Sequence, residues 1–170
     1  MLVTDPGIVA NGWIDEALGY LRQEDLKTVV YDNVVSNPRA FQVEQGAMEY
    51  TRNECDVIIA VGGGSPMDTA KGIAILASNQ GRIVDYVGCN LITQPIPPLI
   101  CVPTTAGTGS DVSQFAIVAD QEKKIKMTIL SRAIMPDISL IDPRLLQTKS
   151  DELIASTGMD ALTHAIEAFV

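Results

Sequence analysis

The stretch VIIAVGGGSPMDTAKGIAIL, residues 57–76, constrains the fold of this chain more than any other. The apolar residues Val57 to Val61 run straight into Gly62, Gly63 and Gly64, and Ser65-Pro66-Met67-Asp68 then opens a helix-compatible run. Continuous apolarity without alternation reads as a strand covered on both faces, the habit of parallel sheets. Ser65 is placed to cap the helix, Pro66 to take its first position, and Asp68 to act as a capping-box acid. Bare glycine backbone at the positive end of a helix offers free amides and a seat for pyrophosphate. A capped helix after a tight turn explains the same residues. The usual GxGxxG fingerprint is not met, because Met67 stands where its third glycine would be and no acid lies at the expected strand end about 20 residues later.

Similar units recur along the chain. Leu2–Thr4, Thr28–Tyr31, Val57–Val61 and Leu99–Val102 read as strands, with helices expected over Gly12–Arg22, Ala40–Arg52 and Pro66–Ser78. This alternation predicts a parallel sheet with right-handed crossovers. Two apolar runs around Phe115–Leu130 flank a polar segment and suggest an antiparallel hairpin, and Ile138–Ile141 suggests a further strand. Ser150 is a candidate N-cap for a helix running on to Val170.

A second loop, PTTAGTGSD at 103–111, carries the hydroxyls of Thr104, Thr105, Thr108 and Ser110. Ligands of parallel sheets bind beyond the carboxyl ends of the strands, and both loops leave from that edge. Hydroxyl-rich turns also serve for capping alone. Asp5, ending the first strand in VTDPG, is placed to accept both hydroxyls of an adenosine ribose and to repel a 2′-phosphate. Asp-Pro-Gly is equally a turn signal in its own right. The one histidine, His164, lies four residues after Asp160 on one helical face, with Leu162, Ile166 and Phe169 expected on the core face. Taken alone, such a pair reads as a solvated Asp–His contact.

Composition narrows the functional classes. Apolar content of 46% with 19% charged residues describes a globular chain, and a net charge of −9 opposes binding to nucleic-acid phosphates. No apolar run approaches the roughly 20 residues that cross a bilayer, and the N-terminus lacks the pattern of a signal peptide. The 3 cysteines are odd in number and widely spaced, so neither a disulfide framework nor a cysteine zinc site is expected. A cytoplasmic setting fits these features.

Three motifs together, DVIIAVGGGSPMDTAKGIAI, PPLICVPTTAGTGSDVS and STGMDALTHAIEAFV, resemble the iron-containing (group III) alcohol dehydrogenases over nearly the whole chain. The resemblance implies an α/β fold: a Rossmann-like parallel sheet with helices on both faces, followed by the first helix of a truncated all-helical domain. It implies a dinucleotide-binding domain over 1–148 and the start of a metal-binding helical domain over 149–170. By the same resemblance, Asp5 selects NAD over NADP, Gly63, Gly64 and Ser65 hold the pyrophosphate with Asp68 nearby, and Thr104, Thr105 and Thr108 form the second cofactor loop. Lys126 matches a lysine near the nicotinamide ribose. Asp160 and His164 match the first two of four metal ligands, with iron the usual metal and zinc compatible with the same donors. The two further histidines of the family come from a helical domain with no counterpart here, so the chain is expected to be an N-terminal fragment, inactive alone, of an enzyme interconverting a primary alcohol and its aldehyde. A homo-oligomer is expected of the full-length protein. The other reading is a non-catalytic nucleotide-binding module, a remnant of the wider dehydroquinate synthase-like superfamily.

Overall fold

Continuous apolar runs pair side by side in the computed structural model, which describes residues 1–121 and 123–170. Strands β1 (Leu2–Val3), β2 (Val30–Tyr31), β3 (Ile58–Gly62), β5 (Leu99–Pro103) and β8 (Ile138–Ser139) form a sheet in the order β2-β1-β3-β5-β8, parallel throughout. Leu2 lies opposite Ile59, Ile59 opposite Ile100, and Ile100 opposite Ile138. A smaller sheet, β4-β7-β6, joins β4 (Gly88–Cys89) to the expected antiparallel hairpin of β6 (Phe115–Asp120) and β7 (Ile125–Leu130).

Helices cover both faces of the parallel sheet. On one side, α3 (Ala40–Arg52) and α4 (Gly64–Ser78) bury Tyr50, Met67, Ala70, Ile73 and Ala74 against Val3, Ile58, Ala60, Leu99 and Cys101. On the other, α1 (Pro6–Ala10) and α2 (Trp13–Gln23) bring Ile8 and Ile14 onto Leu2 and Val61. Helix α4 has a second apolar neighbour: Ile75 packs with Val43 against Ala116, Val118, Met127 and Ile129 of the smaller sheet. A helix held between two sheets must be apolar nearly all round, which is why its sequence lacks a polar face.

The two inner helices meet through glycines. A Cβ on Gly46 of α3 would fall 2.3 Å from Ile73 Cδ1, and one on Gly72 of α4 would fall 2.6 Å from Val43 Cγ1. Burial also controls the thiol of Cys101, whose pKa is pushed up to about 12, so it behaves as a small apolar side chain.

Two local departures from the sequence reading have plain causes. The Asp5-Pro6-Gly7 turn continues into α1, because Asp5 caps it and Pro6 suits its first turn. Helix α2 begins at Trp13 behind Gly12, whose φ of 81° is a left-handed conformation open to glycine. The last helix, α5 (Asp151–Phe169), is capped by Ser150, whose Oγ accepts from the Leu153 amide at 3.3 Å. None of its residues is buried, and Leu162, Ile166 and Phe169, expected to face a core, are exposed. No helix among the described residues is long and apolar enough to cross a membrane.

Overpacking the α3–α4 crossing should therefore be costly. Gly72→Leu is expected to destabilise the chain by about 1–3 kcal/mol, read as a lowered urea midpoint at unchanged slope. An unchanged midpoint would mean that the helices are not packed so closely.

Candidate functional site

Strand order selects one crevice. The chain leaves β1 toward β2 on one side and returns to β3 on the other, so the connections diverge between β1 and β3. In open parallel sheets the carboxyl end of such a switch point is where ligands bind. Asp5 follows β1, Gly62 ends β3, and Thr104 follows β5, its amide bonded to the Gly62 carbonyl at 2.8 Å.

The three glycines serve different ends. Gly62 has φ +153°, and a Cβ there would lie 2.5 Å from Pro66 Cγ and 3.4 Å from Asp5 Oδ2. Gly63 and Gly64 have no unusual φ; a Cβ on Gly63 would fall 3.1 Å from Thr105 Oγ1, and one on Gly64 would fall 3.1 Å from Thr108 Oγ1. Absence of a Cβ lets the second loop lie against the first. The structure thereby brings Asp5, Gly63, Gly64, Thr105 and Thr108 to one place. Helix α4 starts two residues earlier than expected, with Gly63 as its N-cap and no side-chain hydrogen bond on its first amides. Ser65 is consequently not the cap, Pro66 is not the first helical residue, and Asp68 is not a capping-box acid. The missing cap leaves the amides of the first turn open at the positive end of a 15-residue helix.

Polar groups around this crevice fall into two sets. Asp5 Oδ1 accepts from the amides of Gly7 at 2.9 Å and Ile8 at 3.1 Å, so one carboxylate oxygen is committed to α1. Thr4 and Thr104 are both wholly buried, yet neither hydroxyl has a hydrogen-bond partner among the described residues. Buried polar atoms are nearly always satisfied, so these two hydroxyls stand out.

The second set holds the loop in place. Asp68 Oδ1 accepts from Ser110 Oγ at 2.6 Å and Oδ2 from the Ile117 amide at 3.2 Å. Burial raises the Asp68 pKa, opposed by the Ser110 hydrogen bond and by the Lys71 charge. Asp111 accepts from Ser139 Oγ at 2.7 Å. Lys71, wholly buried, donates to Ser110 Oγ, Ser113 O, Ser113 Oγ and Phe115 O at 2.7–3.3 Å. The sequence reading passed over Lys71; its one signal was a lysine inside an otherwise apolar helical run.

Beyond the second loop, a cavity of about 170 Å³ opens between Thr105 and Ala106 and the α5 residues Leu153, Ile154 and Thr157, with Lys149 on its wall. Burial lowers the Lys149 pKa, while the charge of Asp5 acts to raise it. Helix α5 comes close enough that a Cβ on Gly107 would meet the Thr157 carbonyl at 2.9 Å. The remaining candidates stand apart from this contact. Lys126 is exposed on β7, opposite Ala119. Asp160 and His164 lie on α5 with Oδ1 and Nε2 3.8 Å apart and about half exposed. Among the described residues, no group of three or more His, Cys, Asp and Glu side chains is placed to hold a metal ion. A separate hollow of about 220 Å³ lies under α2, walled by Leu2, Trp13, Val61 and Val102, with no residue of 62–68 or 103–111 in its wall.

The profile of the family described as iron-containing alcohol dehydrogenase matches residues 1–143. The chain is similar to the 1,3-propanediol dehydrogenase of Klebsiella pneumoniae, 42% identical, over 100% of this chain and 44% of that enzyme. It is similar to a solved 1,3-propanediol oxidoreductase with TM-score 0.94 and 42% identity, over 97% of this chain and 43% of that one. It is also similar to the sulfoacetaldehyde reductase of Bifidobacterium kashiwanohense solved with NAD+, with TM-score 0.87 and 33% identity, over 99% of this chain and 44% of that one. The chain thus spans less than half the length of these relatives.

The unpartnered Thr104 hydroxyl has a measurable consequence. Thr104→Val keeps the shape and removes an unsatisfied group, so stability should be unchanged or raised by about 1 kcal/mol. A fall of that size in urea unfolding would show that the hydroxyl is bonded in solution.

Proposed function

The chain belongs to the iron-containing alcohol dehydrogenase family, and from that premise we propose that it carries the cofactor-binding part of an NAD-dependent, metal-dependent alcohol dehydrogenase. In this reading residues 1–148 are the nucleotide-binding domain and 149–170 begin the metal-binding helical domain. The full-length enzyme would act in the cytoplasm, as a homo-oligomer, on a primary alcohol or its aldehyde. The observation that carries the proposal is the convergence of Asp5, the uncapped start of α4 and the Thr104–Thr108 loop at the switch point of the sheet.

The residues present fit a dinucleotide. The amides of Gly64 and Ser65 make up the positive end of α4, and glycine backbone lets a pyrophosphate approach them. The hydroxyls of Thr105 and Thr108 lie against Gly63 and Gly64 beside that path, and Thr104, whose hydroxyl is buried, starts the same cofactor loop. Asp5 Oδ2, left over from capping, is the acceptor for ribose hydroxyls and the charge that repels a 2′-phosphate. Lys126 is assigned to the nicotinamide ribose, and Asp68 acts one step back, through Ser110. NAD, when bound, supplies the hydride-accepting ring; this chain orients it.

For the metal, Asp160 and His164 are donors of suitable type, but they are two where a catalytic site needs about three. A divalent ion held there, iron or zinc, would supply Lewis-acid polarisation of the alcohol oxygen. The second reading is a nucleotide-binding module that catalyses nothing. Calorimetry with NAD tests the shared part of both readings. Assay of a longer protein for alcohol-dependent NADH formation separates them.

Asp5→Asn keeps an oxygen for the α1 cap and removes the charge, so the ratio of NADP to NAD affinity should rise about tenfold or more. An unchanged ratio in a folded variant would take Asp5 out of the site. Metal binding follows from the donor count. The 170-residue chain should bind Fe²⁺ or Zn²⁺ weakly and form no NADH from a primary alcohol, and His164→Ala should abolish even the weak binding. Tight stoichiometric metal in the purified chain, found by elemental analysis, would contradict this.

A further inference from the structure

We infer that Lys71 is a positioning residue for the nucleotide site, its ammonium fastening the segment 110–115 to α4 and so holding Thr105 and Thr108 against Gly63 and Gly64. The inference rests on the nucleotide reading above. Lys71 has no exposed surface, and its three protons are shared among Ser110 Oγ, Ser113 O, Ser113 Oγ and Phe115 O. It therefore has neither access to a phosphate nor a proton left for one.

Burying an ammonium is costly, and replacing a buried charge with a well-packed apolar group is often neutral or stabilising. Packing alone would thus be met by methionine at this position in α4. What methionine cannot do is bond the carbonyls of Ser113 and Phe115 while also bonding the hydroxyl of Ser110 that Asp68 receives from the same helix. Lys71 and Asp68 act from one face of α4 on a segment 39–49 residues away in sequence. That segment continues directly from the loop whose threonines meet the glycines. Further along the loop, Asp111 is tied to Ser139, so the loop is clamped from α4 and from β8 together.

The test compares the 170-residue chain with Lys71→Met by hydrogen exchange and by calorimetry with ADP, NAD and adenosine. In a folded Lys71→Met, amides of 104–115 should exchange about tenfold faster while those of β3 and α4 keep their protection. Affinity for ADP and NAD should fall about tenfold, with adenosine little changed, because the loop faces the pyrophosphate path. A merely structural lysine would instead speed exchange throughout the sheet and weaken all three ligands alike, which overturns the inference. Unchanged loop exchange with unchanged ADP affinity overturns it too. If Lys71→Met does not fold, Ser113→Ala, which removes one Lys71 acceptor and keeps the Asp68–Ser110 bond, should give the same pattern at smaller amplitude, and unchanged loop exchange in it would count against the inference. Wild-type chain that binds neither ADP nor NAD defeats the nucleotide reading, while the exchange measurement still decides whether Lys71 holds the loop.

Discussion

Burial of α4 on all sides is the constraint on which the rest of this structure depends. The parallel sheet claims Met67, Ala70, Ile73 and Ala74, and the smaller sheet claims Ile75. A helix gripped in this way cannot slide, so its first turn is fixed relative to the ends of β1, β3 and β5. Two glycine contacts with α3 set its distance from the neighbouring helix to within a methyl group. The site at its N-terminus inherits that rigidity. Loops usually move more than the elements they connect, but here both loops are tied to the most deeply packed helix in the chain.

Some of this was legible in the sequence, and the reasons differ by residue. Helix α3 runs over Ala40–Arg52, as its sequence pattern indicates. The run Val57–Val61 and the glycines after it announce a buried strand and a tight exit, because both are consequences of local composition. The start of α4 departs from the local signal for an equally local reason: Ser65 and Asp68 are good capping residues, and the serine-proline pair mimics a helix start. Tertiary contacts outweighed that preference. Asp68 finds Ser110 and the Ile117 amide, and Gly63 and Gly64 are bare because Thr105 and Thr108 lie on them. No window of sequence around residue 65 contains those partners. The role of Lys71 is illegible locally for the same reason, since its acceptors lie in another loop.

Helix α5 shows the opposite balance. Its cap, its length and its apolar residues were all readable, because a capped periodic helix is encoded locally. Its tertiary role was not: no residue of it is buried among those described, and it meets the rest of the chain near Gly107 and Thr157. Asp160 and His164 share one face of it, as the spacing requires. Shared face is a property of the helix alone, whereas a coordination sphere is a property of several elements.

The sole tryptophan offers an optical handle on that difference. Trp13 belongs to α2, and its indole nitrogen donates to Thr148 Oγ1 at 3.2 Å, across 135 residues of sequence and just ahead of α5. The fluorophore therefore sits on the seam between the sheet and the segment leading into the last helix. Its emission colour is set by water and hydrogen bonding at that seam, whereas circular dichroism is governed by the helices and strands as a whole. Fluorescence and dichroism recorded on one sample would separate the detachment of the C-terminal segment from the melting of the sheet.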